Sequence, residues 1–446
     1  MFKKGILLAM VMMMLVPTLA LAEGGDELTL QSVNDTLNAS LNSLWIMLAA
    51  ILVILMQAGF IMLETGSTRM KNAAHVAGKT IFTFGLATVV FWAVGYGLIF
   101  GGDGNGFIGW GDFFFSPEFN DSNTIFFVFQ LAFAAVSLAI AWGGFAERGK
   151  LSVYLIFTII FVAVIYPVVA HWIWGANGWL FGTKQDFAGS TVVHLTGAMA
   201  ALAATILLKP RIGKFNKDGT SNQILGHNQV FTTLGVILLW VGWFGFNAGS
   251  SLAVGDGYFG YVAFNTQLAA GASAVAALII SWIVLGKADI TTMLNGALAG
   301  LVAITASCAF VEPWAAVVIG LIAGIMVFFS MKMFEKLGID DPIYALSVHG
   351  IAGIWGTIST GFFATKELAA RAAVGREGLF YGGGFEQLFV QIKGVAAAGA
   401  YAFVVSFIAL YVIKLVIGLR VSEEEEVVGL DLSEHGAYGY PEHVKK

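Results

Sequence analysis

The sequence predicts an all-α polytopic membrane protein: eleven transmembrane helices after a cleaved signal peptide, built as a five-plus-five inverted repeat with a pore between the halves and an eleventh, outer helix. Three observations carry this. Hydrophobic residues make up 58% of the chain and charged residues only 11%, a balance that excludes an ordinary soluble protein. Uncharged stretches of roughly twenty residues, enough to cross a ~30 Å hydrocarbon core as helix, recur along its length. Two of those stretches each hide a histidine, His194 and His349, placed eight residues after an aspartate.

The elements follow in order. Lys3 and Lys4 precede an apolar run that ends in Ala20-Leu21-Ala22, a small-x-small cleavage pattern, so residues 1–22 read as a signal peptide. A first transmembrane helix is the competing reading; the acidic, Asn/Ser-rich sequence that follows at once favours cleavage. Losing two lysines and no acids moves the net charge from −5 to −7, a modest excess that does not suggest a nucleic-acid partner. Residues 23–42 are then an extracytoplasmic segment and 43–418 the membrane domain. Its spans lie near 43–63, 80–100, 124–146, 151–171, 187–208, 228–252, 259–285, 290–310, 313–331, 343–363 and 394–416. Residues 419–446 form a cytoplasmic tail.

Loop charge orients the stack. Basic residues follow the odd-numbered spans, as in Arg69/Lys71, Arg148/Lys150 and Lys209/Arg211/Lys214/Lys217, whereas Asp103, Asp112, Asp256 and Glu312 follow even-numbered ones. The positive-inside rule therefore expects an outside N-terminus and a cytoplasmic C-terminus in a cell inner (plasma) membrane. Under that orientation span five, with His194, and span ten, with His349, run in opposite directions. Each carries an Asp-x7-His element, Asp186 to His194 and Asp341 to His349. That is the pattern of an inverted repeat with its site at the midplane between the halves. If each aspartate starts a helix at the membrane surface, eight residues rise roughly 12 Å and bring both imidazoles near the midplane. An ionisable residue at that depth is a functional-site hypothesis by default.

Two facing neutral imidazoles can hydrogen-bond each other and turn their outer nitrogens to a lumen, which suits a small polar solute or a proton relay. The alternative is a pair of helix-packing histidines. Asp186 and Asp341 read first as caps that accept backbone N–H bonds, and Asp186, on the outside, can add attraction for an entering cation. In span six, Trp243, Phe246 and Ser250 share one helix face; Phe129 and Phe133 do so in span three, and Trp174 closes span four. Aromatic faces with one hydroxyl can cage a small cation, with phenylalanines beneath to stop water; packing or interface residues are the plainer reading. Cys308 is alone and reads as a core residue, and neither a metal set nor a cofactor motif is legible. Nor is any nucleophile–base pair, so an enzyme is the least favoured class.

At this point motifs carry a resemblance. Gly-Phe-Ala-Glu147-Arg148, Ala170-His171-Trp-Ile-Trp174-Gly, Asp186-Phe-Ala-Gly-Ser-Thr-Val-Val-His194, Gly242-Trp-Phe-Gly-Phe-Asn-Ala-Gly-Ser250, Asp340-Asp-Pro through Val-His349-Gly, and Gly418-Leu-Arg with Gly429-Leu-Asp and His435-Gly stand in an order that resembles the ammonium transporter family (Amt/Mep/Rh). The resemblance implies that Trp174, Ser250 and Phe133 form an outer ammonium site supported by Asp186. It implies a gate of Phe133 and Phe246, lined by Phe129 and Trp243, and a pore with His194 and His349 as twin histidines. It also implies a homotrimer and a PII-type signalling partner at the cytoplasmic face. The expected activity is capture of NH4+, deprotonation and conduction of NH3, with the proton's own path left open. An ammonium sensor signalling through the tail, or an Rh-like neutral gas channel, is the alternative. Three positions stand out. Tyr344 replaces an aspartate common in the family, Glu64 near the end of span one reads as a capped or solvated acid, and Glu423–Glu426 reads as a solvated acidic insert.

Overall fold

The computed structural model describes residues 29–119 and 121–443. The signal-peptide reading of 1–22 and the first residues of the 23–42 segment lie outside these. The chain divides into a short N-terminal unit ending at Leu41, helical from Leu30, and a unit from Asn42 onward that holds everything below.

Helices make up most of the second unit, and the first of the long ones begins inside the N-terminal unit. They are α1 (Leu30–Ser67), α2 (Met70–Phe100), α3 (Asn123–Trp142), α4 (Leu151–Trp174), α5 (Ser190–Leu208), α6 (Gln229–Ser251), α7 (Tyr258–Leu285), α8 (Ile290–Ser307) and α9 (Pro313–Lys336). Then follow α10, made of Leu346–Ile351 continued by Ala352–Phe363, and α11 (Glu386–Val416). Among the described residues ten helices are long and apolar enough to cross a membrane, which makes this a multi-pass membrane protein. The exception is α10, whose Ser347, His349, Thr357, Ser359 and Thr360 dilute its apolar character. The helix carrying the second histidine is thus the one that hydropathy passes over.

Several starts are written locally. The side chains of Asn228 and Asp289 accept N–H bonds from Phe231 and Thr292 at the heads of α6 and α8, and Pro313 opens α9. Small residues let helices meet: Gly296 and Gly300 of α8 lie against Ala277 and Ser273 of α7, with no room for a Cβ. Helix α1 begins well ahead of the expected residue 43. A search for uncharged stretches cannot see the polar first turns of a helix.

Two acids depart from the sequence expectation. Glu64 is neither capped nor solvated; it is fully buried and faces Lys79 Nζ of α2 at 2.6 Å. Burying one charge in an apolar bundle is tolerable only with such a partner, and the lysine lies far enough along the chain that no local pattern announces it. The acidic insert is not simply solvated either. Glu426 is buried, paired with Arg420 at 2.7 Å, and accepts the Ile212 N–H. The tail is tied down further: Asp431 accepts the His75 N–H and His75 Nδ1 meets His435 Nε2 at 3.0 Å.

A chain of ions links the loops at this basic end. Glu147 lies between Arg69 (2.9 Å) and Arg211 (2.8 Å), and Arg211 continues to Asp340 at 2.8 Å. Burial raises both carboxyls, but the guanidiniums around them outweigh it: Arg211 and Arg69 hold Glu147, and Arg211 and Arg148 hold Asp340, each at about 2.

Candidate functional site

The site is built from α5 and α10. Three contacts fix their directions: Thr191 Oγ1 meets Thr357 Oγ1 at 2.7 Å, His194 meets His349, and Arg211 beyond the end of α5 pairs with Asp340 ahead of α10. As one chain number rises the other falls, so the two histidine helices are antiparallel.

Both histidines sit in widened turns, Ser190–Leu195 and Leu346–Ile351. The His194 N–H reaches back five residues to Gly189 O at 3.1 Å. Such turns release carbonyls from the regular ladder and recur at functional sites. The Val193 carbonyl is taken by Ser137 Oγ at 2.8 Å, and Ser190 Oγ bonds Val302 O at 2.7 Å. The Ser137 hydroxyl of α3 therefore takes a carbonyl of the turn, and the turn's own Ser190 ties it to α8.

The eight-residue spacing is accordingly not eight residues of helix, and Asp186 is buried rather than at a surface. Asp186 Oδ2 reaches forward to accept the N–H groups of Thr191 and Val192, at 3.0 and 2.9 Å. Asp341 divides the task between its oxygens, Oδ1 accepting the Ala345 N–H at 3.0 Å and Oδ2 that of Leu346 at 2.7 Å. Each carboxylate thus caps a widened turn from a position ahead of it. Gly189 is left-handed (φ +110°), and a Cβ there would press on the Trp174 ring at 3.0 Å.

The two imidazoles face each other with Nδ1–Nδ1 3.2 Å, ring centroids 5.2 Å apart and planes 16° from parallel. One Nδ1 must carry the proton and the other accept it. His194 Nε2 is buried with no partner among the described residues. The rings continue a column. His194 stacks on Phe246 (5.5 Å) and on Trp243 (5.2 Å, 15°), and Phe246 stacks on Phe133 at 4.1 Å. Phe129 packs against Phe133 at 4.7 Å. A 4.1 Å stack is van der Waals contact, so nothing passes between Phe133 and Phe246 until a ring turns. Trp243 is pinned by Nε1 to Thr305 Oγ1 at 2.8 Å.

Above Phe133 opens a cavity of about 250 Å3, with Phe129, Trp174, Lys184, Asp186 and Ser250 in its wall. Trp174 meets Phe133 edge to face at 6.0 Å and donates Nε1–H to Asp186 O at 2.9 Å. The Ser250 hydroxyl donates to Phe246 O at 2.8 Å, which leaves its oxygen to the chamber as an acceptor rather than a donor. On the far side of the histidines the space is smaller, cavities of about 80 and 40 Å3 that share Tyr344. Tyr344 holds a left-handed backbone (φ +60°), uncommon for a bulky residue.

All the residues named from sequence, Trp174, Ser250, Phe133, Asp186, Phe246, Phe129, Trp243, His194 and His349, thus form one continuous column and chamber. Sequence reasoning missed Lys184, Thr191, Thr305 and Thr357. Only Lys184 left a signal: an isolated cation two residues before Asp186, in a loop where basic residues are otherwise scarce.

Comparison with known proteins adds the decisive observation. The model of the Ammonium Transporter Family matches residues 44–440. The chain belongs to the ammonium transporter family. This Amt-type transporter is 42% identical to ammonium transporter Amt2 of Archaeoglobus fulgidus, over 97% of this chain and 95% of that one. It is 37% identical to the ammonium transporter of Bacillus subtilis, over 90% and 98%. Among solved structures, a chain named "Sensor Amt Protein" superposes with a TM-score of 0.84 at 39% identity, covering 90% of this transporter and all of that chain. Candida albicans Mep2 gives 0.81 at 30% identity, over 90% and 92%.

Proposed function

We propose that this transporter captures NH4+ in the Trp174–Ser250 chamber, strips its proton near the Phe133–Phe246 gate, and conducts NH3 past His194 and His349, the proton crossing by a separate route along the histidine pair. The observation that carries the reading is the buried, unpartnered Nε2 of His194 directly beneath a closed aromatic gate. Buried polar atoms without partners are rare, and a small solute able to donate and accept hydrogen bonds would satisfy this one. Above the gate, aromatic faces and an accepting hydroxyl suit a cation that donates hydrogen bonds. Below it, among the described residues, no carboxylate bonds or pairs with either histidine, and a charge at a bilayer centre costs at least about 2.5–3.5 kcal/mol. Neutral ammonia avoids that cost.

In this reading the membrane domain spans 43–418 with eleven crossings, α10 being the tenth. The Trp174 end faces outward and the Arg211 end the cytoplasm of a plasma (inner) membrane. Spans one to five and six to ten form the inverted halves, which the antiparallel α5 and α10 support. Residues 1–22 are a cleaved signal, 23–42 an extracytoplasmic segment and 419–446 the tail. The working form is a homotrimer, with a PII-type protein as partner at the tail face. Uptake of labelled methylammonium by cells making the chain tests the core of this: saturable uptake, lost in Asp186→Ala, is expected. Wild-type uptake no greater than in control cells would refute it.

One observation favours a second reading, an ammonium sensor. The tail is wired into the loops through Arg420–Glu426 and His75–His435, and a structural relative is named "Sensor Amt Protein". A tail deletion that keeps uptake but abolishes an ammonium response in the cell would support it.

A further inference from the structure

Asp186 already has an ammonium group beside it. Lys184 Nζ lies 3.7 Å from Asp186 Oδ2 and donates to Thr191 Oγ1 at 3.0 Å, with both the lysine and aspartate side chains sealed from solvent. The same Oδ2 accepts the Thr191 and Val192 N–H groups, while Oδ1 has no partner among the described residues. The lysine stem runs across Gly394 of α11, where an added Cβ would stand 2.4 Å from both Cδ and Cε. A glycine is therefore what leaves the stem its path. Thr191 in turn is braced by Thr357. This is a built position: a glycine makes the room, a hydroxyl aims the amine, and the amine faces the acid.

A paired carboxylate and ammonium leave almost no net charge behind the chamber, whereas an unpaired carboxylate in a low-dielectric wall would attract any monovalent cation. We propose that Lys184 is a specificity-determining residue of ammonium capture. Its tethered cation neutralises Asp186, so the chamber draws no cation by charge alone, and binding is left to aromatic faces and the Ser250 oxygen. Those contacts favour a cation that donates directed hydrogen bonds over K+, which donates none. The inference rests on the reading of the Trp174–Ser250 chamber as the ammonium site.

The test is uptake of labelled methylammonium, with and without K+, by cells making wild type, Lys184→Gln, Lys184→Arg or Gly394→Ala. Glutamine keeps a donor for Thr191 and removes the charge. Lys184→Gln should lower KM roughly three- to tenfold and let K+ inhibit at concentrations at least tenfold lower, with Vmax changed less than threefold. Lys184→Arg, which keeps the charge, should leave K+ inhibition near the wild-type concentration. Gly394→Ala, which displaces the amine without deleting it, should fall between. Unchanged KM and K+ inhibition in Lys184→Gln would overturn the proposal, as would a fall in Vmax alone that arginine does not rescue. If Lys184→Gln fails to fold, Gly394→Ala decides on the same two readouts. Failure of the underlying reading looks different: Trp174→Leu and Ser250→Ala would then leave KM where it was.

Discussion

The Asp186–His194 and Asp341–His349 segments use one device in two electrical settings. In both, a carboxylate set ahead of a widened turn accepts two backbone N–H groups, and a histidine eight residues on meets its counterpart. Asp186 has Lys184 beside it and a roomy aromatic chamber above it. Among the described residues no lysine pairs with Asp341; the guanidinium that acts on it, that of Arg148, donates instead to the Lys209, Ala146 and Asp340 carbonyls. Burial pushes Asp341 up to about 6, against the lowering pull of the Leu346 and Ala345 N–H bonds. The shared capping explains why the backbone repeats, and the unshared charges explain why the ends need not do the same work. In the proposed mechanism capture falls to the chamber end and release of a neutral solute to the tighter Tyr344 end.

That contrast can be broken in graded ways. Removing the brace between the segments should cost most. Arg211→Ala leaves Glu147 and Asp340 buried without their shared partner, and breaking a buried pair this way costs about 3–5 kcal/mol. Thermal unfolding in detergent should show a large fall, and a shift of only a degree or two would mean that the network is ornamental. Next comes Asp186→Ala, which orphans two buried N–H groups. Methylammonium uptake should drop at least a hundredfold, equivalent to about 2.7 kcal/mol, whereas Asp341→Asn, keeping one acceptor oxygen, should lose no more than about tenfold. Equal losses would erase the distinction between the ends.

The pH dependence sharpens it. Asp341 sits at about 6 when folded against an ordinary 3.8. Its contribution to stability is therefore full at low pH and is lost as pH rises through that window. Glu147 and Asp340, held at about 2, behave oppositely: their contribution is present above their unfolded values, 4.5 and 3.8, and is lost as pH falls toward 2. In Asp341→Asn the decline between roughly pH 4 and 6 should disappear from an unfolding profile while the acid loss below it stays. An effect of the same modest order is expected at Trp174→Leu, a rise in methylammonium KM of about tenfold with Vmax nearly intact, in line with one exposed to partly desolvated cation–π contact.

Much of this was legible in the residues alone. His194, His349 and Asp186 stood out because polar groups in apolar runs are costly and hence informative, and the helices declared themselves by length and composition. What escaped depended on partners brought together by packing rather than by a helical or strand spacing. Glu64 could not reveal Lys79, nor Glu426 its place against Arg420 and Ile212, because each pair is made by packing. The widened turns escaped too. An Asp-x7-His spacing reads as helix, whereas the bonds that accompany the widened turn, Ser137 Oγ to Val193 O and Ser190 Oγ to Val302 O, join residues far apart in the chain. Lys184 was written in plain sight, but a scan for loop asymmetry has no reason to stop at one lysine beside one aspartate.

The central claim is that ammonia crosses along the histidine column, with the proton stripped from ammonium carried apart from it. Purified protein in vesicles, given an inward ammonium gradient and read for both current and internal alkalinisation, tests this directly. Wild type should show an ammonium-evoked current, and His194→Ala should lose that current. The contradicting result is a current that persists unchanged in His194→Ala, or a wild type that moves ammonia with no current at all.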